Sequence, residues 1–236
     1  MKLLIIKTTT LILLMIFSLS TLAFPKLPGG LGSKLPGGLG SLQGDAPEDA
    51  ASMDLPAAQS KFERTLRDAL ADLSEAESYF AKSRGDAEAA AANMRRAETL
   101  RGEGDVDIKG AMEETVSSRE KSAEFEANAG ELNAESKAHY AKGLLPYAKG
   151  VANTSGATKQ TKTWLDAAQK ELKSTKNPIK LRKLQKSLSG GISLARSLPK
   201  FFKTLSDSTK GVFSFAKAQK LDTKKAQQTI PEDDFE

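Results

Sequence analysis

Apolar side chains recur every three or four residues through most of this chain from Ala57 onward, and this spacing restricts the fold more than any other feature. Such spacing places the apolar residues on one side of an α-helix. Runs of β-branched residues are missing, and Ala, Ser, Lys and Glu are abundant, so local propensity also favours helix. We therefore expect an all-α protein, an elongated helical bundle of four to six helices built from coiled-coil-like hairpins.

Three stripes of apolar or small residues define the longest expected helices. The first helix covers residues 57–100, with a dent at Gly85, and the second covers about 106–150, where Pro146 kinks or ends it. The third stripe follows Asn177 and Pro178, which suit the N-cap and the first helical turn. In chain order the stripes are Phe62, Leu66, Ala69, Leu73, Ala76 and Phe80; Val116, Ala123, Ala127, Gly130, Ala134, Ala138, Ala141, Leu145 and Ala148; and Leu181, Leu184, Leu188, Gly191, Ala195, Leu198, Phe202, Leu205, Thr209, Val212 and Ala216.

Shorter features separate the second and third stripes. Residues 153–156 predict a loop, and residues 158–176 predict a helix that carries Trp164, Leu165, Ala168 and Leu172. Gly190, Gly191 and Pro199 interrupt the third stripe, which indicates two helices or one bent helix.

The first 23 residues have the features of a secretory signal peptide. Lys2 and Lys7 form a basic start, residues 11–22 are almost wholly apolar, and small residues precede a cleavage point after Ala23. The clean apolar run is shorter than the roughly 20 residues that a spanning helix needs. We therefore predict an exported protein, periplasmic or secreted, and the absence of cysteine together with the short signal favours a bacterial source.

The segment after the predicted cleavage point repeats the sequence KLPGGLGS at residues 26–33 and 34–41. Its glycine and proline content predicts a flexible, disordered leader over residues 24–56. A short docking peptide is the alternative, because leucine recurs every four residues. The expected organisation is then a helical domain over 57–222, with an acidic hairpin (57–150) and basic helices (156–222), followed by a disordered acidic tail (223–236).

Charge divides the chain into two unlike parts. Residues 45–136 hold 11 Lys and Arg against 22 Asp and Glu, a balance of −11, whereas residues 137–225 hold 20 against 4, a balance of +16. Either the two halves neutralise each other in the fold, or the basic face stays open for an anionic partner. In an exported protein, a lipid surface is a more plausible anionic partner than nucleic acid.

One stretch of the basic half is a candidate surface for lipid or another anionic partner. It mixes aromatic and cationic side chains, the composition of a helix at a bilayer interface. The same residues also suit a core stripe with lysines outside, and we favour that interpretation. The candidate surface residues are Arg196, Lys200, Phe201, Lys203, Lys210, Phe213 and Lys217.

The sequence contains no recognisable catalytic motif. His139 is the single histidine, and Glu131 and Glu135 precede it at steps of four, but nothing supplies the second half of a di-metal site. We therefore expect no enzyme activity, no catalytic or metal-binding residues and no cofactor. Trp164 and the phenylalanines offer stacking groups, yet no nucleic-acid-binding module is visible, so a nucleic-acid partner is not expected.

These observations predict a non-enzymatic interaction or scaffold protein of the cell envelope or the extracellular space. It would bind a protein partner, or a second copy of itself, through helix surfaces. The alternative is a membrane-active protein, in which the basic amphipathic helices of residues 178–221 leave the bundle and insert at a lipid interface, as in helical pore formers.

Overall fold

Helices, with no strand among them, make up the part of the chain that the computed structural model describes, residues 53–231. They are α1 (Leu55–Ser83), α2 (Ala87–Arg101), α3 (Ile108–Asn128), α4 (Ala134–Ser174), α5 (Pro178–Ala218) and the single turn α6 (Lys224–Gln227). The expected all-α bundle is therefore confirmed. The predicted signal peptide, the predicted leader as far as residue 52 and the last five residues lie outside the described part.

Helix α1 is central and contacts α2, α3, α4 and α5. Its predicted stripe is confirmed, because every member from Phe62 to Phe80 is buried. The helix begins two residues earlier than expected, where the Asp54 side chain accepts a hydrogen bond from the Ala57 N–H at 3.1 Å. An N-cap of this kind satisfies one of the unpaired donors of the first turn.

The predicted first helix is two helices. Gly85 adopts a positive φ of 79°, a conformation that side-chain-bearing residues rarely adopt. The Asp86 side chain then caps α2 by accepting from the Ala89 N–H. Gly85 therefore ends α1 rather than denting a continuous helix.

The predicted second helix is also interrupted, over residues 129–133, and its small-residue stripe is wrong over residues 127–141, although Ala148 is buried and Val116 packs against the core. Ala127, Ala134, Ala138 and Ala141 are exposed. The Asn133 side chain caps α4, and this new start turns a different face of the helix towards α1. The buried residues of that region are Tyr140, Gly143, Leu144 and Tyr147, so larger apolar area outweighs the regularity of the alanines.

Helix α4 continues through Pro146 and through residues 153–156, where a loop was predicted. The reason is local hydrogen bonding combined with burial. The Thr154 hydroxyl donates to the Gly150 carbonyl at 2.7 Å, and Val151 and Ala157 pack into the core on either side. Polar residues that favour loops in isolation are thus accommodated inside a buried helix.

Helix α5 is a single helix across Gly190, Gly191 and Pro199. Its start at Asn177 is as predicted, since the Asn177 side chain accepts from the N–H groups of Ile179 and Lys180. Most of its stripe is buried, from Leu188 to Ala216. The predicted acidic tail departs from expectation, because α6 forms there and Ile230 joins the core.

Helices α1 and α4 approach each other closely at two glycines of α4. A Cβ atom on Gly150 would lie 2.9 Å from the carbonyl oxygen of Ala69 and 2.5 Å from Cγ of Leu73. At Gly143 a Cβ atom would lie 2.6 Å from the ring of Phe80. These two positions therefore require glycine, and they fix how near the two helices lie.

We expect Gly150→Ala to lower the free energy of unfolding by about 1–3 kcal/mol, because the added methyl group collides with backbone that cannot move independently. Gly156 is the matched control, since it lies on the same helix with open space around it. There the same change should raise stability by up to about 1 kcal/mol through helix propensity. Urea unfolding of both variants measures the difference, and equal effects would contradict the close approach.

Candidate functional site

The helical hairpin formed by α4 and α5 continues past the start of α1. Trp164 of α4 donates its indole N–H to the carbonyl of Leu55, the first residue of α1, at 2.9 Å. From that level α4 runs ten further residues to Ser174, about 15 Å of helix. We call residues 169–187 the hairpin tip, and none of them is fully buried.

The hairpin tip carries a dense positive charge. It holds seven cations and one carboxylate, that of Glu171, and all seven cationic side chains are exposed. No salt bridge joins any of the seven to a carboxylate within residues 53–231. The seven are Lys170, Lys173, Lys176, Lys180, Arg182, Lys183 and Lys186.

An exposed apolar residue lies at the apex of the hairpin tip. Ile179 is 69% exposed, and the other large apolar side chain exposed within the described residues is Met53, at 40%. Ile179 is the second residue of α5, after the turn of residues 175–177 and Pro178, and Lys180 follows it. The tip therefore combines an apolar point with surrounding positive charge.

The candidate surface residues of α5 separate into two groups. Phe201 and Phe213 are 4% and 7% exposed, so both rings belong to the core and not to the surface. Both rings are buried because they lie on the side of α5 that faces the core. The favoured interpretation, in which these aromatic residues pack in the core, agrees with this burial. The five cations Arg196, Lys200, Lys203, Lys210 and Lys217 are exposed.

These five cations do not form one patch. Arg196 and Lys217 are 21 residues apart on α5, about 30 Å along its axis, which exceeds the distance over which charges interact at physiological salt. Lys203 is paired with Asp207 at 2.8 Å. Arg196 lines a groove of about 620 Å³ together with Lys109, whereas Lys210 and Lys217 line another of about 500 Å³ beside Ile230.

The acidic and basic halves do not neutralise each other through ion pairs. The acidic half pairs its charges internally, for example Arg101 with Asp72 and Glu75 at 2.9 and 2.6 Å. Within residues 53–231, and leaving Lys159 aside, the pairs that cross the division are two local ones, Lys137 with Glu131 at 2.8 Å and His139 with Glu135 at 3.9 Å. The halves pack through apolar contacts, and the seven cations of the hairpin tip remain exposed.

The most deeply buried charged groups form an ionic cluster between α1, α3 and α4. Arg119 donates to Glu77 at 3.1 Å and to Glu126, and the three side chains are 3%, 1% and 7% exposed. Ser122 donates to Glu77 at 2.6 Å, and Tyr140 donates to Glu126 at 2.7 Å. The cluster thus links α1, α3 and α4 through hydrogen bonds and ion pairs between residues far apart in sequence.

The surroundings shift the pKa values of this cluster. Burial alone lowers the pKa of Arg119, but the negative charges of Glu77 and Glu126 outweigh it and raise that pKa above its usual range. Burial raises the pKa of Glu126, and the charge of Arg119 opposes that rise. Burial also raises the pKa of Tyr140. Because solutes cannot reach these groups, we assign the cluster a structural role.

The candidate metal ligands do not share a site. Glu131 precedes α4 and binds Lys137 at 2.8 Å, while Glu135 lies 3.9 Å from His139. The hydrogen bond from Lys137, together with its charge, lowers the pKa of Glu131. Across the described range, no group of three or more His, Cys, Asp or Glu side chains is placed to hold a metal ion.

The sequence alone did not identify the hairpin tip as a site, although it showed an excess of cations in the half of the chain that contains the tip. The excess of cations in residues 137–225 was visible, but their concentration at one exposed end depends on where α1 begins. The aromatic residues drew attention to residues 194–217 instead, and the fold buries those rings.

We expect Arg119→Met to lower the free energy of unfolding by about 3–5 kcal/mol, because it leaves two carboxylates buried without their cation. Arg96→Met is the matched control, since Arg96 pairs with the exposed Glu114 and that change should cost no more than about 1 kcal/mol. Chemical unfolding of both variants compares them. A small loss at Arg119 would show that the buried cluster does not hold α1 to α3.

No protein-family model, curated protein or solved structure matches this chain, so no relative supplies a family, an activity or a partner. Between residues 53 and 231, none of the helices has an apolar stretch long enough to cross a bilayer. The charge and exposure of the hairpin tip are therefore the features of the described residues that indicate a function.

Proposed function

We propose that this chain is a non-enzymatic helical interaction protein that binds an anionic partner through the hairpin tip. The observation that carries the proposal is the set of seven exposed cations at the tip, unpaired within the described residues and accompanied by one carboxylate. Exposed charges of one sign attract oppositely charged partners and accelerate their association. The proposal places this binding in the cell envelope or outside the cell, on the strength of the predicted signal peptide.

The folded bundle favours binding without unfolding over the alternative in which residues 178–221 insert into a membrane. Release of α5 would expose core residues such as Leu198, Leu205 and Val212, each 0% exposed. Burying such a side chain contributes about 1.5–3 kcal/mol, so their joint exposure is costly. The hairpin tip needs no such rearrangement, because its cations already face solvent.

A set of three neutral substitutions tests the proposal. Lys176→Gln, Lys180→Gln and Arg182→Gln, made together, remove three positive charges from the hairpin tip without touching the core. Retention on a heparin column, a generic polyanion, should fall, with elution at clearly lower salt than for the unmodified protein, because fewer counterions are released on binding.

The matched control removes the same number and kind of cations from the acidic half. It combines Lys82→Gln, Arg95→Gln and Lys121→Gln, all of them exposed. Its elution should stay close to that of the unmodified protein. If the two sets shift elution equally, net charge alone governs binding, and if the unmodified protein binds neither heparin nor anionic vesicles, the proposed function is wrong.

A further inference from the structure

We infer that the anionic partner of the hairpin tip is a phospholipid bilayer, contacted end-on by the folded bundle. This inference rests on the proposed function and names its partner. The reason is the combination of side chains at the apex, where the exposed apolar residue Ile179 lies among the cations of the hairpin tip.

The apex carries an apolar side chain with cations next to it, as an anionic membrane has an apolar interior next to a layer of negative headgroups. Ile179, at 69% exposure, is the leading apolar group, and Lys176 and Lys180 flank it in sequence. When such a point meets a bilayer, the apolar side chain enters the boundary between headgroups and acyl chains, while the cations stay at the level of the phosphates. Lys and Arg stems reach along apolar surface with their charges in the polar layer, which suits this geometry.

The rest of the tip supports a membrane over other anionic partners. A nucleic acid held by a basic surface is commonly bound through stacking on aromatic rings, but Trp164 is 1% exposed and the tip contains no aromatic residue. A specific protein partner needs a complementary patch of about 800 Å² on each side. A lipid surface needs only charge and a small apolar anchor, and the tip offers both.

The depth of insertion is limited by the fold. Behind the apex, Leu181 and Leu184 are half-buried, Leu184 packs against the core, and Leu188 is fully buried. The described apolar surface available for insertion is therefore mainly that of Ile179. This predicts reversible, salt-sensitive binding at the surface, in which the acidic half stays in solution away from the negative membrane.

Co-sedimentation with vesicles tests the inference. The protein should comprise residues 24–236, the predicted mature chain, because the apolar segment of residues 1–23 would itself bind lipid. It should bind vesicles that contain phosphatidylglycerol, release them at high salt, and fail to bind vesicles of phosphatidylcholine alone. Removing the three cations with Lys176→Gln, Lys180→Gln and Arg182→Gln should weaken binding by roughly 100-fold.

Ile179 gives the sharper comparison, because its substitution leaves the charge unchanged. Ile179→Ser should weaken vesicle binding by about tenfold while leaving heparin retention unaltered. Ile179→Leu keeps the apolar side chain and should bind vesicles as tightly as the unmodified protein. If the tip bound by charge alone, Ile179→Ser and Ile179→Leu would bind equally. Circular dichroism of each variant checks that the bundle remains folded.

The outcomes separate the two proposals. Binding to heparin without binding to anionic vesicles would overturn the membrane inference and leave the proposed function intact, with a non-lipid polyanion as partner. Binding to neither would overturn both. Vesicle binding that Ile179→Ser and the three-cation variant leave unchanged would place the membrane contact elsewhere and overturn the inference.

Discussion

The close approach of α1 and α4 at Gly143 and Gly150 determines how the rest of the bundle is arranged. With no side chain at these positions, the two helices pack nearly backbone to backbone, and Phe80 and Leu73 fill the space beside them. Helix α4 is thereby held along α1, but it is the longer of the two, at 41 residues against 29. Its far end passes the first residue of α1 and, with the start of α5, forms the exposed hairpin tip. A packing constraint in the core therefore generates the surface feature to which we assign the function.

Much of the fold could be predicted from periodicity and capping signals. The sequence predicts the buried face of α1 because large apolar residues mark it, and it predicts the start of α5 because Asn177 and Pro178 are a strong helix-start signal. The alanine stripe of residues 127–141 misled, because regular spacing alone does not say whether a partner helix covers a face. The pairing of Glu77 with Arg119 was invisible, since it joins residues 42 apart that only the tertiary fold brings together. Exposure of the tip was hidden for the same reason, as it depends on where a different helix begins.

Charge is used differently in the two halves of the molecule. In the acidic half, arginines bind carboxylates between helices, and the buried group around Arg119 joins α1 to α3 and reaches α4 through Tyr140. In the basic half, the lysines project outward and leave the packing to leucine and phenylalanine. Stability and recognition are thus assigned to separate sets of charges. The tip cations lie outside the packed core, whereas Arg119 compensates two buried carboxylates within it.

Amide hydrogen exchange of residues 24–236, with and without vesicles containing phosphatidylglycerol, shows whether the hairpin tip of the folded bundle contacts the membrane. We expect slower exchange confined to the hairpin tip, residues 169–187, with unchanged protection in α1 and in the rest of α5. Faster exchange over residues 188–218 on lipid binding would mean that α5 leaves the bundle, and unchanged exchange at the tip would mean that the tip is not the contact. Either result would contradict end-on contact between the folded bundle and the membrane.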